Sequence, residues 1–270
     1  LMIRRPPRST LDRSSAASDV YKRQIGNGST IGPYSVIGEE VEIGSDCNIH
    51  NHVVITGKCR IGKKNTFHSH SVIGGLSQDL KYSSEPTFLE IGDSNNFREF
   101  VTINRGTEPD SKTIVGSYGN FLAYSHIAHD CIVGDHVIFS NNGTLAGHVQ
   151  MGDYAILGGL TAVHQFCRIG KHAITGGCSK IVQDVPPFMV ADGNPAEIRS
   201  INSIGLQRRG FSQEQIKSLK DAYKIIFLRN LTISDAVTQL KETASRYSES
   251  SPIQELIDFV VSSERGIIRR

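Results

Sequence analysis

Apolar residues recur every six positions along most of this chain. From Ile25 onward, the lead residue of each hexapeptide is aliphatic or aromatic, and glycine often follows it, as in IGNGST, IGPYSV and IGEEVE. After a break beyond Ile103, the run resumes from Val115 to Ile181, where every lead residue is apolar except Thr175. A period of six is neither that of an α-helix nor that of a single strand, so it indicates a repeating coil.

Each hexapeptide accommodates one short strand and one turn, so three hexapeptides close one triangular coil. Coils stack by parallel strand pairing at a rise of about 4.8 Å. The lead side chains point inward and fill a continuous core that no single coil could bury. The pattern therefore predicts an all-β parallel β-helix over residues 25–190, and similarity to known hexapeptide-repeat proteins predicts a left-handed coil.

Two segments interrupt the period. In the first, the in-phase lead positions hold Asp79 and Glu85, which cannot fill an aliphatic column, so GLSQDLKYSSEPTFLE is predicted to leave the coil as a loop. The second is RGTEPDSKT, which follows Ile103. Loops that project from a rigid scaffold often carry binding and catalytic residues.

The repeat is predicted to end near Pro186 and Pro187, because proline lacks the N–H that a further strand ladder needs. Beyond them the period becomes helical. Ser212 and Gln215 match a capping box, and an apolar stripe at helical spacing follows. The stripe consists of Ile216, Leu219, Tyr223, Ile226 and Phe227.

Two further helices are predicted from TISDAVTQLKETASRY and SSPIQELIDFVVSS. In the second of these, Ser251 is the expected cap and Pro252 the first helical residue. Residues 191–270 are therefore predicted to form a small C-terminal helical domain that serves packing and subunit contacts.

The segment that precedes the repeat, LMIRRPPRSTLDRSSAASDVYKRQ, has no period and is rich in Arg, Ser and Pro. A transit peptide has a similar composition. The stretch also resembles translated sequencing-adapter DNA fused in frame to a gene fragment. We therefore predict that residues 1–24 are a non-native leader, that about one native coil is missing, and that the repeat begins at Ile25.

The composition narrows the function further. A net charge of +2 over 270 residues gives no support for nucleic-acid binding. The five cysteines show no CxxC spacing, which is typical of reduced thiols in a cytoplasmic protein rather than of disulfides or a zinc site. No stretch approaches the roughly 20 apolar residues of a membrane span.

The stretch SHIAHDCIVG carries histidines that the coil period places in columns. Because one coil spans three hexapeptides, His129 is expected to lie directly below Gly147, with Gln165 above both. The neighbouring column holds Asp130, His148 and Phe166. A single exposed histidine is most often a surface residue, but this convergence favours a functional site.

His129 beside Asp130 has the composition of a general base. Imidazole titrates near neutral pH, and a carboxylate partner fixes its tautomer and raises its basicity. Gly147 offers an unhindered N–H to a developing oxyanion. Since Cys131 is expected to point away, the sequence favours direct attack of an acceptor on a thioester, without a covalent enzyme intermediate.

Several motifs resemble the UDP-N-acetylglucosamine acyltransferase family of lipid A synthesis. They are SHIAHDCIVG, TLAGHV, GGLTAVHQFCRIG, GGCSKIVQDVPPF, SQDLKY and GLQRRGFS, and the likeness extends from Ile25 to Arg270. The resemblance implies transfer of a 3-hydroxyacyl chain from acyl carrier protein to the sugar 3-position. It also implies a homotrimer with active sites between subunits, and no cofactor beyond the phosphopantetheine of the carrier protein.

The same resemblance assigns roles to individual residues. His129 is the expected general base, Asp130 its partner, and Gly147 the donor to the oxyanion. Arg208 is expected to bind the nucleotide phosphates, a role suited to a permanently charged guanidinium, and Gly177 to line the acyl groove. The other expected substrate contacts are Gln78, Asp79, Lys81, His126, His148, His164, Gln165 and Asn202.

Two positions depart from the family pattern: Ile204 stands where many members have glutamate, and Asn104 where some have histidine. The choice between a 3-hydroxyl and a 3-amino acceptor sugar therefore stays open. Alternatives are a γ-class carbonic anhydrase with a three-histidine zinc site, and a non-catalytic β-helix scaffold. The sister N-acyltransferase of the pathway would require a large N-terminal uridine-binding domain. We expect no metal at the site.

Overall fold

The computed structural model describes residues 24–244, 247 and 252–269. Residues 1–23 of the predicted leader and the predicted cap Ser251 lie outside the described residues. Within the described part, short strands alternate with tight turns from Gln24 to Ile201, and helices follow.

The strands are short, as a six-residue repeat requires. Those of the first half are β1 (Gln24–Ile25), β2 (Thr30–Ile31), β3 (Val36–Ile37), β4 (Val41–Ile43), β5 (Asn48–Ile49), β6 (Val54–Ile55), β7 (Lys58–Ile61), β8 (Thr66–Phe67), β9 (Val72–Gly75), β10 (Phe88–Ile91), β11 (Asn96–Phe97), β12 (Thr102–Asn104) and β13 (Lys112–Val115). Those of the second half are β14 (Asn120–Phe121), β15 (His126–Ile127), β16 (Ile132–Val133), β17 (Ile138–Phe139), β18 (Thr144–Leu145), β19 (Gln150–Met151), β20 (Ile156–Leu157), β21 (Ala162–Val163), β22 (Arg168–Ile169), β23 (Ile174–Thr175), β24 (Lys180–Ile181), β25 (Met189–Gly193) and β26 (Ala196–Ile201).

Three sheets form the faces of a triangular prism. Sheet A has the order β1-β4-β7-β10-β13-β16-β19-β22, sheet B the order β2-β5-β8-β11-β14-β17-β20-β23-β25-β26, and sheet C the order β3-β6-β9-β12-β15-β18-β21-β24. Every strand pair in these sheets is parallel except β25 with β26. His126 pairs with Thr144, three hexapeptides further along the chain, which confirms the predicted coil.

The lead side chains fill the interior of the prism. Phe67, Phe97 and Phe121 stack with ring centroids 5.0 and 4.7 Å apart, and Phe139 continues the column. All four rings are fully buried. Burial of such a side chain contributes about 1.5–3 kcal/mol, and here each coil supplies the surface that buries the next.

The prism has three corners, which we name by the sheets that they join. The fourth residue of most hexapeptides lies in a corner turn and has a positive φ, for example 65° at Tyr124, 58° at Asp130 and 60° at His148. A left-handed residue lets the chain turn from one face of the prism to the next. Residues at this position in successive coils therefore form ladders along each corner, such as the stacked rings of His148 and Phe166.

Two loops leave the prism at the C–A corner. The first loop comprises residues 76–87 and the second loop residues 105–111. The coil continues unchanged beyond both, since Phe88 pairs with Lys58 on one side and with Lys112 on the other. The two loops are therefore insertions that preserve the register of the stack. Both are shorter than predicted, because Gly75 belongs to β9, residues 88–90 to β10, and Lys112 and Thr113 to β13.

The strand ladder extends two strands beyond the two prolines. Val190 in β25 pairs with Ile174 in β23, and β26 then turns back against β25. The expectation that Pro186 and Pro187 stop the ladder is wrong, because both prolines occupy the turn before β25 and no donor is needed from them there. The predicted domain boundary at residue 190 falls within this strand.

Four α-helices occur in the described part after β26. They are α1 (Ser203–Arg208), α2 (Gln213–Tyr223), α3 (Ile233–Ala244) and α4 (Ile253–Val261), with a π-helical turn at Lys224–Leu228. The predicted capping box at Ser212 and Gln215 is confirmed by both of its hydrogen bonds. The predicted apolar stripe continues through Ile226 and Phe227, which lie in the π-helical turn. Helix α1 is not predicted by the apolar period, because it is too short to show one.

The start of α4 differs by one residue from the prediction. Pro252 is the N-cap rather than the first helical residue. Proline suits both positions, because neither requires a donated N–H. None of the helices in the described part is long and apolar enough to cross a lipid bilayer.

Candidate active site

Most of the predicted site residues lie at the C–A corner. Three consecutive corner turns, residues 128–131, 146–149 and 164–167, rise above one another beside the two loops. The residues at this corner are Gln78, Asp79, Lys81, His129, Asp130, Gly147, His148, His164 and Gln165, with His126 on the adjoining strand β15. The coil period alone predicts this grouping for the residues in the turns.

His129 lies directly beneath Gly147, as the column predicts. A Cβ atom added at Gly147 would stand 2.4 Å from Cε1 and 2.5 Å from Nε2 of the His129 ring. The backbone N–H of His148 donates to the carbonyl of His129 at 3.0 Å. His129 is 8% exposed, so the glycine and the second loop enclose the ring.

Asp130 holds the imidazole of His129. His129 Nδ1 and Asp130 Oδ2 are 2.9 Å apart, and both side chains are largely buried. Burial raises the pKa of the Asp130 carboxyl, but hydrogen bonds from His129, Ser111 and Thr107 outweigh it, so the pKa lies below its usual value. An ionised carboxylate only accepts hydrogen bonds, so Nδ1 carries a proton, and in the neutral ring Nε2 offers its lone pair.

The second loop adds partners that the sequence period does not predict. Thr107 Oγ1 is 2.8 Å from His129 Nδ1, and the Thr107 backbone N–H points at Asp130 Oδ1 at 3.3 Å. Thr113 Oγ1 accepts the backbone N–H of Asp130 at 2.8 Å. RGTEPDSKT signals this loop, but an insertion has no coil register from which its side chains could be placed.

The Gly147 N–H is available as a donor. Among the described residues it has no hydrogen-bond partner, whereas the neighbouring N–H groups of Ala146 and His148 both donate along the strand ladder. Its position beside the His129 ring brings the predicted base and the predicted oxyanion donor together. This arrangement suits attack on an acyl carbon.

Two further histidines flank His129. Burial, reinforced by the nearby His129, lowers the pKa of His126, whose Nδ1 lies 2.7 Å from Thr102 Oγ1. His148 meets the His129 ring edge-on at 5.1 Å and stacks on Phe166 at 4.6 Å. Its Nε2 lies 3.8 Å from Asp130 Oδ2.

His129, Asp130 and His148 could together ligate a metal ion. Donor atoms of His129, Asp130 and His148 lie within 4.8 Å of one another. However, Nδ1 of His129 carries the proton shared with Asp130, so a metal ion bound through Nδ1 would have to displace that proton. The predicted absence of a metal therefore stays a prediction, and it requires a direct metal analysis.

Cys131 is not positioned as a nucleophile. It is buried, its Sγ contacts the carbonyl of Ala146 at 3.2 Å, and burial raises its pKa to about 12. A thiol with such a pKa is protonated at neutral pH and therefore unreactive. This agrees with the sequence-based interpretation that excludes a cysteine intermediate.

The first loop presents polar groups beside the histidines. Asp79 accepts the backbone N–H of Lys81 through Oδ1 at 2.9 Å, which shapes the loop, while Lys81 and Gln78 are exposed. His164 and Gln165 are also exposed, one coil above Gly147. These side chains are free to contact a substrate without disturbing the core.

Three predicted residues lie elsewhere on the chain. Gly177 is at the B–C corner, and Asn202 adjoins the A–B corner, where its Nδ2 donates to the carbonyl of His172 at 2.9 Å. Asn202 Oδ1 also accepts the N–H of Gly205 and so caps α1. Arg208 is exposed in the last turn of α1. A single chain therefore does not bring these three residues to His129.

The fold and the corner together define a hexapeptide-repeat transferase. The model of the bacterial transferase hexapeptide family matches residues 24–57, and that of the second domain of UDP-N-acetylglucosamine O-acyltransferase matches residues 184–268. A curated relative from Herminiimonas arsenicoxydans, acyl-[acyl-carrier-protein]–UDP-N-acetylglucosamine O-acyltransferase, is 49% identical over 250 residues. That match covers 92% of this chain and 95% of the relative.

Solved structures agree with the sequence comparison. The UDP-N-acetylglucosamine O-acyltransferase of Moraxella catarrhalis is 40% identical with a TM-score of 0.87, covering 92% of this chain and 95% of that one. The Francisella novicida acyltransferase is 36% identical with a TM-score of 0.88, covering 92% and 90%. The chain belongs to the UDP-N-acetylglucosamine O-acyltransferase family. The predicted left-handed parallel β-helix with a C-terminal helical region is confirmed.

Proposed function

We propose that the protein transfers a 3-hydroxyacyl chain from acyl carrier protein to the 3-position of UDP-N-acetylglucosamine, the first step of lipid A synthesis. The observation that carries this proposal is the buried His129–Asp130 pair beneath the unpaired N–H of Gly147. The name of the Herminiimonas relative supports the substrates. Acyl transfer to a hydroxyl needs a base and an oxyanion donor at one point, and the corner supplies both.

The reaction follows from the geometry of this pair. Nε2 of His129 takes the proton of the acceptor hydroxyl as its oxygen attacks the thioester carbon. Asp130 stabilises the imidazolium through Nδ1–H, and the Gly147 N–H binds the oxyanion of the tetrahedral intermediate. Collapse forms the ester C–O bond, breaks the C–S bond, and returns the proton from His129 to the departing thiolate of phosphopantetheine.

The site is proposed to be completed by a second copy of the chain. Gly177 lies at the B–C corner, Asn202 beside the A–B corner and Arg208 on α1, so none of the three lies at the corner of His129. If they line the same substrate, a neighbouring subunit must supply them, and a threefold assembly gives three equivalent sites. Separate corners in one chain are the observation that supports the homotrimer.

A product assay tests the reaction. The protein is incubated with UDP-N-acetylglucosamine and 3-hydroxyacyl thioesters of acyl carrier protein, and the product is identified by mass spectrometry. Fragmentation locates the new ester on the sugar. The measurement is repeated after chelation, with metal analysis of the purified protein. A stoichiometric metal in a protein that forms no acylated product would favour the carbonic anhydrase alternative over a metal-free transferase.

His129→Ala tests the assigned base. Loss of a general base typically lowers turnover by about 10²–10⁴, and we expect that loss here with the trimer retained. His136→Ala is the control, because His136 occupies another corner and stacks between Tyr118 and Tyr154. A His129 variant with more than about half of the wild-type turnover is incompatible with the mechanism.

A further inference from the structure

The two loops at the C–A corner are hydrogen-bonded to each other. Asn104, at the end of β12, donates from Nδ2 to the carbonyl of Leu76 at 2.8 Å, and the Arg105 N–H donates to the carbonyl of Gly75 at 2.9 Å. At the far end, the Asp110 N–H donates to the carbonyl of Pro86 at 2.9 Å. The second loop is therefore fixed against the first loop at both ends.

Thr107 stands where the two loops meet the base. It is 4% exposed, and its Oγ1 lies 2.8 Å from His129 Nδ1 and 2.7 Å from Ser77 Oγ. Ser77 Oγ also accepts the N–H of Asp79 at 3.2 Å. One continuous chain of hydrogen bonds thus runs from the His129 ring to Asp79, a residue expected to contact the substrate.

The direction of these bonds follows from Asp130. Because its carboxylate accepts from Nδ1–H, Thr107 Oγ1 must also accept from that hydrogen, and the threonine hydroxyl is left to bond elsewhere. Two acceptors around one N–H resist rotation of the ring better than one does. The Thr107 N–H, shared between Ser111 Oγ and Asp130 Oδ1, fixes the threonine itself.

We propose that Thr107 is a positioning residue that joins the first loop to the His129 ring, so that substrate held at Asp79 and Lys81 aligns the base. The inference rests on the proposed function. Thr107 touches the imidazole rather than the reacting atoms, so it acts through His129. The first loop and the His129 ring then move together. A displacement of Ser77 is transmitted to Nδ1 of His129 through the hydroxyl of Thr107.

Thr107→Val removes the hydroxyl but keeps the shape of the side chain. A misplacement of a catalytic group by about 1 Å can cost about 100-fold in rate, and we expect kcat to fall about 10- to 100-fold while the KM for the sugar nucleotide stays within about twofold. Thr107→Ser keeps the hydroxyl and should restore most of kcat. If serine is as impaired as valine, the hydroxyl is not the active feature and the proposal is overturned.

The matched control is Thr87→Val. Thr87 is buried at the end of the first loop, and its Oγ1 has no partner among the described residues. The same isosteric change there removes no bond, so kcat and the melting temperature should be at least those of the wild type. A loss at Thr87 equal to that at Thr107 would attribute both effects to loop packing and overturn the proposal.

A readout that needs no turnover separates this inference from the proposed function. In protein labelled with ¹⁵N-histidine, the His129 signals are assigned by their absence in His129→Gln. The wild type should show a protonated Nδ1 at pH 8, and Thr107→Val should broaden or shift these signals as the ring loses its second acceptor. Unchanged signals in Thr107→Val overturn the inference, whatever the product assay gives.

Ser77→Ala probes the other end of the chain of hydrogen bonds. It leaves the bond from Thr107 to His129 intact, so the ¹⁵N signals should persist while kcat/KM for the sugar nucleotide falls. In the double variant with Thr107→Val the two losses should not add, since both cut one chain. Strict additivity would mean that the first loop and the base are independent, and the coupling would be rejected. An acyl adduct on Thr107 in intact mass spectra would also overturn the positioning role.

Discussion

Gly147 and His129 illustrate how closely one coil constrains the next. Gly147 occupies the position of His129 one coil later, and its Cα–H face is in contact with the imidazole. A side chain at residue 147 would occupy the space of the ring. Glycine is required here because the His129 ring approaches the backbone closely, not because the backbone conformation is unusual. The site depends on the absence of a Cβ atom at residue 147.

Gly147→Ala is therefore expected to abolish most of the turnover. The new Cβ would lie 2.4 Å from the ring, so His129 must rotate away from its acceptors or the turn must shift. The control is Gly159→Ala, whose Cβ would meet only the carbonyl of Asn141 at 3.5 Å and Cβ of Ser140 at 4.0 Å. We expect Gly159→Ala to keep the wild-type melting temperature. Wild-type activity in Gly147→Ala would contradict the observed stacking.

At the scale of elements, α1 and its N-cap carry Asn202 and Arg208, the two residues that are predicted to contact the nucleotide. Its N-cap Asn202 uses both ends of its amide within the protein, on Gly205 and on His172. A uridine contact through that amide must therefore share groups that already support α1. The exposed side chain of Arg208, in the last turn of α1, is not used to cap the helix. It is therefore the better candidate to bind the nucleotide phosphates.

Arg208→Ala is expected to raise the KM for UDP-N-acetylglucosamine far more than that for the acyl donor. A charge-assisted hydrogen bond contributes about 1.5–3 kcal/mol, or about 10- to 100-fold in affinity. Arg60→Ala is the control, because Arg60 forms an exposed ion pair with Glu42 on sheet A. Steady-state kinetics with each substrate varied in turn decide the matter. Equal effects on both substrates would remove Arg208 from the nucleotide site.

His172 lies where the helical region packs on the prism, and it should make the stability of the protein depend on pH. Burial, together with Arg209 and Lys171, lowers the pKa of His172 to about 4. The ring stacks between Tyr154 and Phe188, and its buried Nδ1 has no partner among the described residues. The folded protein therefore favours the neutral imidazole.

The sign of the pH effect follows from linkage. An unfolded histidine titrates near pH 6.5, so between about pH 6.5 and 4 the unfolded chain binds a proton that the folded chain does not. The contribution of the neutral His172 ring to the free energy of unfolding is complete above pH 6.5 and declines as the pH falls toward 4. His172→Phe keeps the stack and should flatten the fall in melting temperature over this range. Parallel curves for variant and wild type would contradict the assignment.

At the scale of the whole molecule, the arrangement of corners decides how a substrate could be held. The base lies at the C–A corner, whereas Gly177 lies at the B–C corner of the same prism. A Cβ at Gly177 would meet only the carbonyl of Gly159 at 3.5 Å, so a longer side chain there extends outward without strain. If residue 177 limits the acyl chain at the proposed site, we expect a neighbouring subunit to bring it there.

Gly177→Met should shift donor preference from long to medium 3-hydroxyacyl chains. The open glycine predicts that the wild type prefers long chains, and methionine would close the groove by steric overlap. The effect should exceed the roughly 1–3 kcal/mol of a single methylene contact. The measurement is the ratio of kcat/KM for a long and a medium donor, with the trimer verified by light scattering. An unchanged ratio would show that the chain length is limited elsewhere.

Particular residues show how far the sequence could predict this site. His129, Gly147 and His148 follow from the arithmetic of the coil, because a rigid register converts sequence distance into height. Thr107 and Ser77 do not, because an insertion has no register, and their contacts depend on how the two loops pack together. The prolines before β25 are a related case, since a turn and the end of a strand ladder have the same local chemistry.

The sequence by itself determined the coil, its core and the column of the base. A six-residue period allows only one way to bury its lead residues, and the same period aligns His129 with Gly147. Only the tertiary structure decided the burial of His129, its second acceptor at Thr107, and the position of Arg208 away from that corner. These features depend on contacts between segments outside the repeat, where geometry is set by packing and hydrogen bonds rather than by period.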